Sequence, residues 1–379
     1  MLSRLLPSLV LILLLLAPLP LSAQDRDRAG EDEGEIGWQF LGAPYINADS
    51  DNGIVFGVAS GIAHPPHTAY IINSSYATKG LAGITWRGET GTDKWRHLFM
   101  TRLWLMPANL YPATGASPDA YASARLQHTE FQIATMRRFT PHLEIGPELW
   151  TDFAKGIDPE DADEAPLDVN TLPRFQDGSL ILFGLRGRYR TTSAVRPTNG
   201  AIVDLALRTG RADGIEWEAP RHTNTADLWL AMAKPLTANS RLYLRGWFRV
   251  QDEVAHSVRN ALGGIYTLRG QPFNRDYGRR LLAGRLQYHI TLAQDVTLVS
   301  DFVQKVLPFM PTWRLGFEAV PFADIGAVGD PEWGGFRQTR QGYGLGFRIV
   351  LPPELVFSID LALSPDGSML YYFGGGESL

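Results

Sequence analysis

Two arrangements in this sequence put reactive side chains where they could act together. His128 stands two residues from Glu130, and His289 follows Arg285 and Gln287 at the same step. On an extended chain that spacing puts each set on one face. A histidine beside a carboxylate can serve as a general base, and a lipid-modifying activity is one chemistry such a pair could support. The second arrangement joins distant residues. Arg269 lies in Gly263–Gly264–Ile265–Tyr266–Thr267–Leu268–Arg269–Gly270–Gln271, within a polar stretch over residues 254–278 that is rich in loop formers. Asp324 lies in Pro321–Phe322–Ala323–Asp324–Ile325–Gly326. If the loop folds inward, its guanidinium needs an anion, because a buried unpaired charge is prohibitively costly. Asp324 is the candidate, and a bidentate pair would pin the loop. A surface arginine needs no such partner, and the residues alone leave both readings open.

Other constellations are weaker. There is no G-x-S-x-G elbow, no H-E-x-x-H pair and no phosphate-binding loop. The eight histidines are scattered, with none spaced as a metal pair. Asp49–Ser50–Asp51–Asn52–Gly53 opens like a calcium loop, but Ser60 stands where the closing glutamate belongs. It reads as a hairpin turn on Asn52–Gly53. The acidic stretch over residues 158–168 reads as a solvated loop that could attract divalent cations. No catalytic residue, metal or cofactor is expected, and the chain is expected not to be an enzyme. The two histidine sets read as a polar network.

The elements that must position these residues are strands. Among residues 241–250, Leu242, Leu244, Gly246, Phe248 and Val250 share one face, against Arg241, Tyr243, Arg245, Trp247 and Arg249. Ile181, Phe183, Leu185 and Tyr189 likewise oppose Arg186, Arg188 and Arg190. Tyr343, Leu345, Phe347 and Ile349 oppose Arg348 and three glycines. A period of two with one apolar face marks a half-buried strand. Sixteen such strands are expected between residues 38 and 376. Connections after odd strands are long, as at residues 155–177 and 254–278, and most others are short, as at 139–141 and 236–239. The exception is residues 293–312, where Leu298, Val299, Phe302, Val303, Val306 and Leu307 fall at helical spacing. A short amphipathic helix is expected there, with an extended strand and an irregular turn as the alternative.

Residues 1–23 combine one arginine, an apolar run and a small-residue end at Ala23, which reads as a secretory signal. Residues 24–37 are acidic and read as a flexible periplasmic tail. Residues 38–379 make up the strand region. The chain has no cysteine, which excludes a lipoprotein anchor, disulfides and thiolate metal sites. No later run is long and apolar enough for a membrane helix. The formal charge of −5 becomes −6 without the arginine of the first segment, which argues against nucleic acid as a partner. A soluble periplasmic β protein and an outer-membrane barrel both fit these features.

The segments themselves favour the barrel. Gly263–Gly264 and Leu268–Arg269–Gly270, a following strand, then Phe322, Asp324 and Gly326 together resemble the barrel domain of the Omp85 superfamily of outer-membrane proteins. Asn109–Leu110–Tyr111–Pro112–Ala113–Thr114–Gly115 is similar to an early-loop segment of that family. The stretch from Arg190 through Pro197 to Gly200 is similar to its strand–turn pattern. The resemblance spans nearly all of residues 38–379 and implies an all-β transmembrane antiparallel barrel of about sixteen strands. An extracellular loop would fold into the lumen, with Leu268, Arg269, Gly270 and Gln271 at its tip. Its lock partners would be Phe322, Asp324, Gly326 and Gln287. The chain departs from the pattern at Gln271, where an aromatic is usual, at Gln287, where an acid is usual, and at the terminal Leu379.

The resemblance also implies a role in inserting or translocating other proteins through a lateral seam between the first and last strands. Gly374, Gly375 and Gly376 would weaken that seam, since glycines pair poorly in a strand. The expected setting is the bacterial outer membrane, with lipid and lipopolysaccharide around a monomeric barrel. A client protein or a periplasmic partner supplying a missing soluble arm is expected, and nucleic acid is not. The inward faces carry Arg102, Arg186, Arg188, Arg190, Arg208, Arg245, Arg249, Arg285 and Arg348. Glu130, Glu144, Glu148, Asp204, Asp227, Glu318, Asp324 and Asp360 could answer them. Both signs together suggest ion pairing around a plug, with a narrow anion-lined channel as the alternative.

Overall fold

The computed structural model describes residues 39–375, apart from 50–52, 65–67, 111–121, 162, 164, 169–171, 173–174, 192–198, 216, 266, 299–312, 331–335, 337 and 352–354. The signal, the acidic tail and Leu379 lie outside the described residues, as do Tyr111–Gly115 of the early-loop segment and residues 192–198 of the strand–turn segment. Eighteen strands are present among the described residues. They are β1 (Gln39–Asp49), β2 (Gly53–His64), β3 (Thr68–Ala77), β4 (Ala82–Gly91), β5 (Trp95–Leu110), β6 (Ala122–Arg138), β7 (Leu143–Asp161), β8 (Gly178–Arg190), β9 (Gly200–Gly214), β10 (Arg221–Thr237), β11 (Ser240–Gln251), β12 (Asn260–Leu262), β13 (Asp276–Gly278), β14 (Arg280–Leu298), β15 (Trp313–Gly329), β16 (Gln338–Leu351), β17 (Leu355–Leu363) and β18 (Met369–Gly375). All but β12 and β13 pair antiparallel with their neighbours in one closed barrel of sixteen strands. β12 and β13 form a separate small hairpin, running from Asn260↔Gly278 to Leu262↔Asp276.

Alternation decides which face meets which surroundings. On β16 Leu345 is 58 % exposed, whereas Arg348 is 2 % exposed. On β8 and β9 Phe183, Leu185 and Leu207 are exposed while Arg208 is buried. Water would reward the reverse arrangement. A hydrocarbon exterior with a polar interior rewards this one. Leu345→Arg, near the middle of β16, should therefore cost about 2–4 kcal/mol in folding from urea into lipid vesicles. A cost near zero would place that face in water.

β1 is joined to β2 from Gln39↔Ala63 to Asp49↔Gly53. This puts the β1–β2 turn at one end of the barrel and the start of β1 at the other. Turns at residues 92–94, 139–142 and 238–239 share the end where β1 starts, and the long connections at residues 111–121, 162–177 and 252–279 share the opposite end. The expected helix is corrected in part. Leu298 lies in β14, which pairs with β15 through Val296↔Leu315, Thr297↔Arg314 and Leu298↔Trp313. The register shifts twice between Thr291 and Val296, and Asp295 takes a φ of 55° there. The partner strand supplies backbone hydrogen bonds that a local helical period cannot register. The remaining residues of that expectation, 299–312, lie outside the described residues.

The long β11–β14 connection enters the lumen. Val254, Ala255 and Val258 pack with Phe175, Leu180, Leu182, Trp150 and Leu126, forming an apolar core inside the barrel at its long-loop end. Leu262 and Leu268 continue inward against Leu281 and Val328. The stretch that composition marks as a polar loop is therefore held by a buried apolar side.

Candidate functional site

The loop ends in a guanidinium sealed from solvent. Arg269 and Leu268 are both 0 % exposed. Arg269 Nε donates to Asp324 Oδ2 at 2.8 Å and Nη2 donates to Asp324 Oδ1 at 2.8 Å. The Arg269 backbone N–H also donates to Asp324 Oδ2, at 3.2 Å. The remaining nitrogen, Nη1, donates to Asp360 Oδ2 at 2.9 Å. The guanidinium lies over the Phe322 ring, 3.4 Å from its centroid. All three guanidinium nitrogens thus meet a carboxylate, and the planar fork is matched as a lysine could not match it.

The backbone around the tip is shaped for this. Gly270 has a φ of 84°, and a Cβ there would sit 3.0 Å from the Leu363 carbonyl oxygen. A side chain would be disfavoured by conformation and by space. The Gly270 N–H donates to Tyr372 Oη at 3.3 Å, linking the tip to the last strand. Gln271 is buried, and its carbonyl accepts from the Gly264 N–H at 2.9 Å, which closes the loop. Farther out, Arg259 Nη1 and Arg279 Nε pair with Asp330 at 3.0 and 3.3 Å, and Arg340 Nε pairs with Asp276 at 2.9 Å. The hairpin is therefore tied to β15 and β16 at both ends.

Of the residues singled out in the sequence, Arg269, Gly270, Phe322 and Asp324 come together. Gly326 faces the loop through Leu262, whose Cδ1 lies 2.4 Å from where a Cβ would be. Gln287 stands across the ladder from Phe322. Its side-chain Oε1 accepts from His289 Nε2 at 3.2 Å. Asp360 is a partner that pairwise reading of the motifs missed. It also accepts from Arg348 Nη1 at 2.5 Å. Arg285 was grouped with His289 by spacing, but its Nη2 donates to the Ile265 carbonyl at 2.7 Å and its Nε lies 3.4 Å from Asp324. Arg269, Arg285 and Arg348 thus share Asp324 and Asp360 in one buried cluster.

The histidines have acidic neighbours other than those their spacing suggests. His128 Nδ1 lies 2.8 Å from Asp152, while Glu130 accepts from Arg102 and from the Trp150 indole. His289 Nδ1 lies 2.9 Å from Glu318, which also takes Arg241. Elsewhere the lumen wall is laced by ion pairs. Arg186 bridges Asp204 and Glu148, Arg208 joins Glu148, and Arg249 joins Asp227. Arg245 lies over the Trp229 ring. Among the described residues no group of three histidine, aspartate or glutamate side chains could hold a metal ion.

At the seam, among the described residues, β1 and β18 are in register at Ala48↔Phe373 and Asp49↔Tyr372. By contrast, β17 and β18 are in register from Phe357↔Gly375 to Leu363↔Met369. Gly374 and Gly375 pair with Ser358 and Phe357 of β17, and Gly376 lies outside the described residues.

An apolar exterior, an ionic lumen and a long connection locked inside define the class. This is a closed sixteen-strand antiparallel barrel of the transmembrane type, a fold it shares with solved bacterial barrels. BamA from Haemophilus ducreyi lacking POTRA domains 1–3 superposes with a TM-score of 0.55 at 11 % identity, over 90 % of this chain and 70 % of that one. CdiB from Escherichia coli superposes with a TM-score of 0.57 at 11 % identity, over 89 % of this chain and 63 % of that one. CdiB from Acinetobacter baumannii has a TM-score of 0.53 at 14 % identity, over 89 % of this chain and 59 % of that one. This chain therefore spans less than two thirds of either CdiB. No family model matches the chain, and no curated protein matches it.

Proposed function

We propose that this chain is an outer-membrane protein of the Omp85 superfamily that assists insertion or translocation of other proteins through the seam between β1 and β18. The seam carries this reading. Among the described residues its two register pairs are few beside the eleven that join β1 to β2. Each antiparallel pair contributes backbone hydrogen bonds, so a seam joined by few pairs would part more readily than its neighbours and would then expose unpaired strand edge. An exposed edge can template a client strand by β-augmentation. The locked loop fastens the wall beside the seam, because Asp324 and Asp360 tie β15 and β17 to one guanidinium. A partner with a soluble arm would bring clients to the barrel, which works as a monomer surrounded by lipid and lipopolysaccharide.

The test uses the absence of native cysteine. Ala48 and Phe373 face one another across the seam, and cysteines at both positions should form a disulfide on mild oxidation. Oxidised protein should lose insertion of a reporter barrel into vesicles, and reduction should restore it. Undiminished activity after verified trapping would overturn the reading. In that event a channel or purely structural role would stand instead, which single-channel conductance in planar bilayers would separate. A lipid-modifying activity would show as lipid turnover that is lost when His128 and His289 are replaced.

A further inference from the structure

The outer wall of the barrel carries a cationic concavity near the long-loop end. Arg211 lies close to the end of β9, and His222 stands across the ladder from it on β10. Both are exposed. They belong to the outward faces that carry Leu205 and Leu207 on β9 and Met232 on β10. With Gly210, Pro220 and Arg221 they line a concavity of about 310 Å³, and no carboxylate lines it. Among the described residues Arg211 has no hydrogen bond or ion pair. His222 Nε2 lies 3.3 Å from Thr209 Oγ1, which leaves the other ring nitrogen open. Arg221 is partly engaged, with Glu253 at 3.1 Å and the Trp217 ring at 5.0 Å. Glu253 in turn is shared with Arg279. A guanidinium on a lipid-facing strand is tolerated near the rim of the membrane, where headgroups can answer it.

A second concavity of different chemistry adjoins the first. It measures about 530 Å³, and its lining includes Gln127, Lys155, Asp177, Ser179, Asp213 and Trp217. The two are joined at β9 and at Trp217. Asp213 follows Arg211 by two residues on the same face, and Trp217 lies under the Arg221 guanidinium. Carboxylates and a carboxamide facing bare acyl chains would be costly. Facing a sugar they have a use, because each accepts from a hydroxyl. Farther from the rim on the same outward faces, Phe183, Leu185 and Leu207 are exposed. The order along the wall is therefore polar acceptors, cations, then apolar surface. Both concavities adjoin the β9–β10 connection, at the end where the long connections lie. In bacterial barrels that end faces outward.

We propose that the two concavities together hold the headgroup of a phosphorylated glycolipid of the outer leaflet, the lipid A part of lipopolysaccharide. Arg211, Arg221 and His222 take one phosphate, and the planar guanidinium of Arg211 can do so with two parallel bonds. Lys155 meets a second phosphate. Gln127, Asp177 and Asp213 accept from sugar hydroxyls, and the acyl chains lie along Phe183, Leu185 and Leu207. The inference rests on the outer-membrane setting of the proposed function and not on what passes through the seam.

The test uses the full chain folded in non-ionic detergent and titrated with bis-phosphorylated lipid A, with bound lipid per barrel read by native mass spectrometry. The parent chain should retain lipid A, and should bind the same lipid stripped of its phosphates about tenfold more weakly or worse. Arg211→Gln with His222→Gln should weaken retention of the phosphorylated lipid to a similar degree. Arg137→Gln should not, since that outward arginine lies over Phe139 near the opposite rim. Asp213→Ala separates a sugar site from simple charge attraction. Removing an acid should strengthen the latter, whereas the proposal expects weaker binding. The stripped lipid tests the parent chain itself, so the answer stands even if a variant fails to fold. Undiminished retention in the Arg211 and His222 variant, equal retention of the stripped lipid, or tighter binding by Asp213→Ala would overturn the proposal. So would equal retention of phosphatidylglycerol, which has a phosphate and no sugar ring. Trapping the seam with the Ala48 and Phe373 cysteines should leave lipid retention unchanged, so failure of the insertion reading and failure of this one are told apart.

Discussion

Arg269→Ala should leave much less folded barrel than the parent chain, seen as loss of the compact band in heat-modifiable gel mobility and as protease cleavage within residues 254–278. The substitution removes four hydrogen bonds to two buried carboxylates at once. Three involve the side chain, and the fourth depends on the loop staying where the side chain holds it. Removing one member of a buried ion pair typically costs about 3–5 kcal/mol, because the partner keeps its desolvation penalty. Arg285 and Arg348 remain beside Asp324 and Asp360, so the carboxylates are not wholly abandoned, but the loop has lost its anchor. Arg269→Lys should rescue little. An ammonium cannot match Asp324 with two parallel bonds while also reaching Asp360. Parental mobility and protease resistance in Arg269→Ala would sink the idea that this contact holds the loop.

Gly342→Ala should release the loop without touching any charge. A Cβ at Gly342 would sit 1.9 Å from the Arg269 carbonyl oxygen and 3.0 Å from its carbonyl carbon. Those are backbone atoms, so no side-chain rotation relieves the clash, and the tip must move as a unit. Overpacking of a tight site commonly costs about 1–3 kcal/mol, and more where backbone must shift. Gly326→Ala is the control. Its Cβ would meet Leu262 Cδ1 at 2.4 Å, the far end of a flexible side chain that can turn away. Gly326→Ala should therefore cost much less than Gly342→Ala. The double variant Gly342→Ala with Arg269→Ala should be scarcely worse than either single change, because both break the same contact. Loop release should also raise conductance in planar bilayers by unblocking the lumen. Additive losses, or a mild Gly342→Ala, would show that β16 does not make room for the tip.

Those glycines mark the boundary of what could be read without coordinates. Opposite Tyr343, Leu345 and Phe347, the sequence shows three glycines where a lumen face would ordinarily carry side chains, and period-two patterning assigns the strand correctly while saying nothing of the reason. The reason at Gly342 is a loop tip that comes from more than seventy residues earlier in the chain. Leu298 illustrates the converse failure. Its apolar neighbours repeat at a helical interval, yet Trp313 across the ladder holds it extended. Local periodicity has no access to a partner strand that lies beyond an intervening connection.

The sequence by itself determined the strands, their inward and outward faces and the abundance of both charges in the lumen, because side-chain alternation is a property of covalent geometry along a few residues. It also singled out Arg269 and Asp324 as a pair worth joining. Only the tertiary structure decided that Asp360 completes the site, that Arg285 serves the loop rather than His289, and that an apolar core seats the polar-looking connection. These contacts join residues 55 and 91 positions apart. Such distances are set by closure of the barrel, which brings strands face to face through a lumen that no sequence spacing measures.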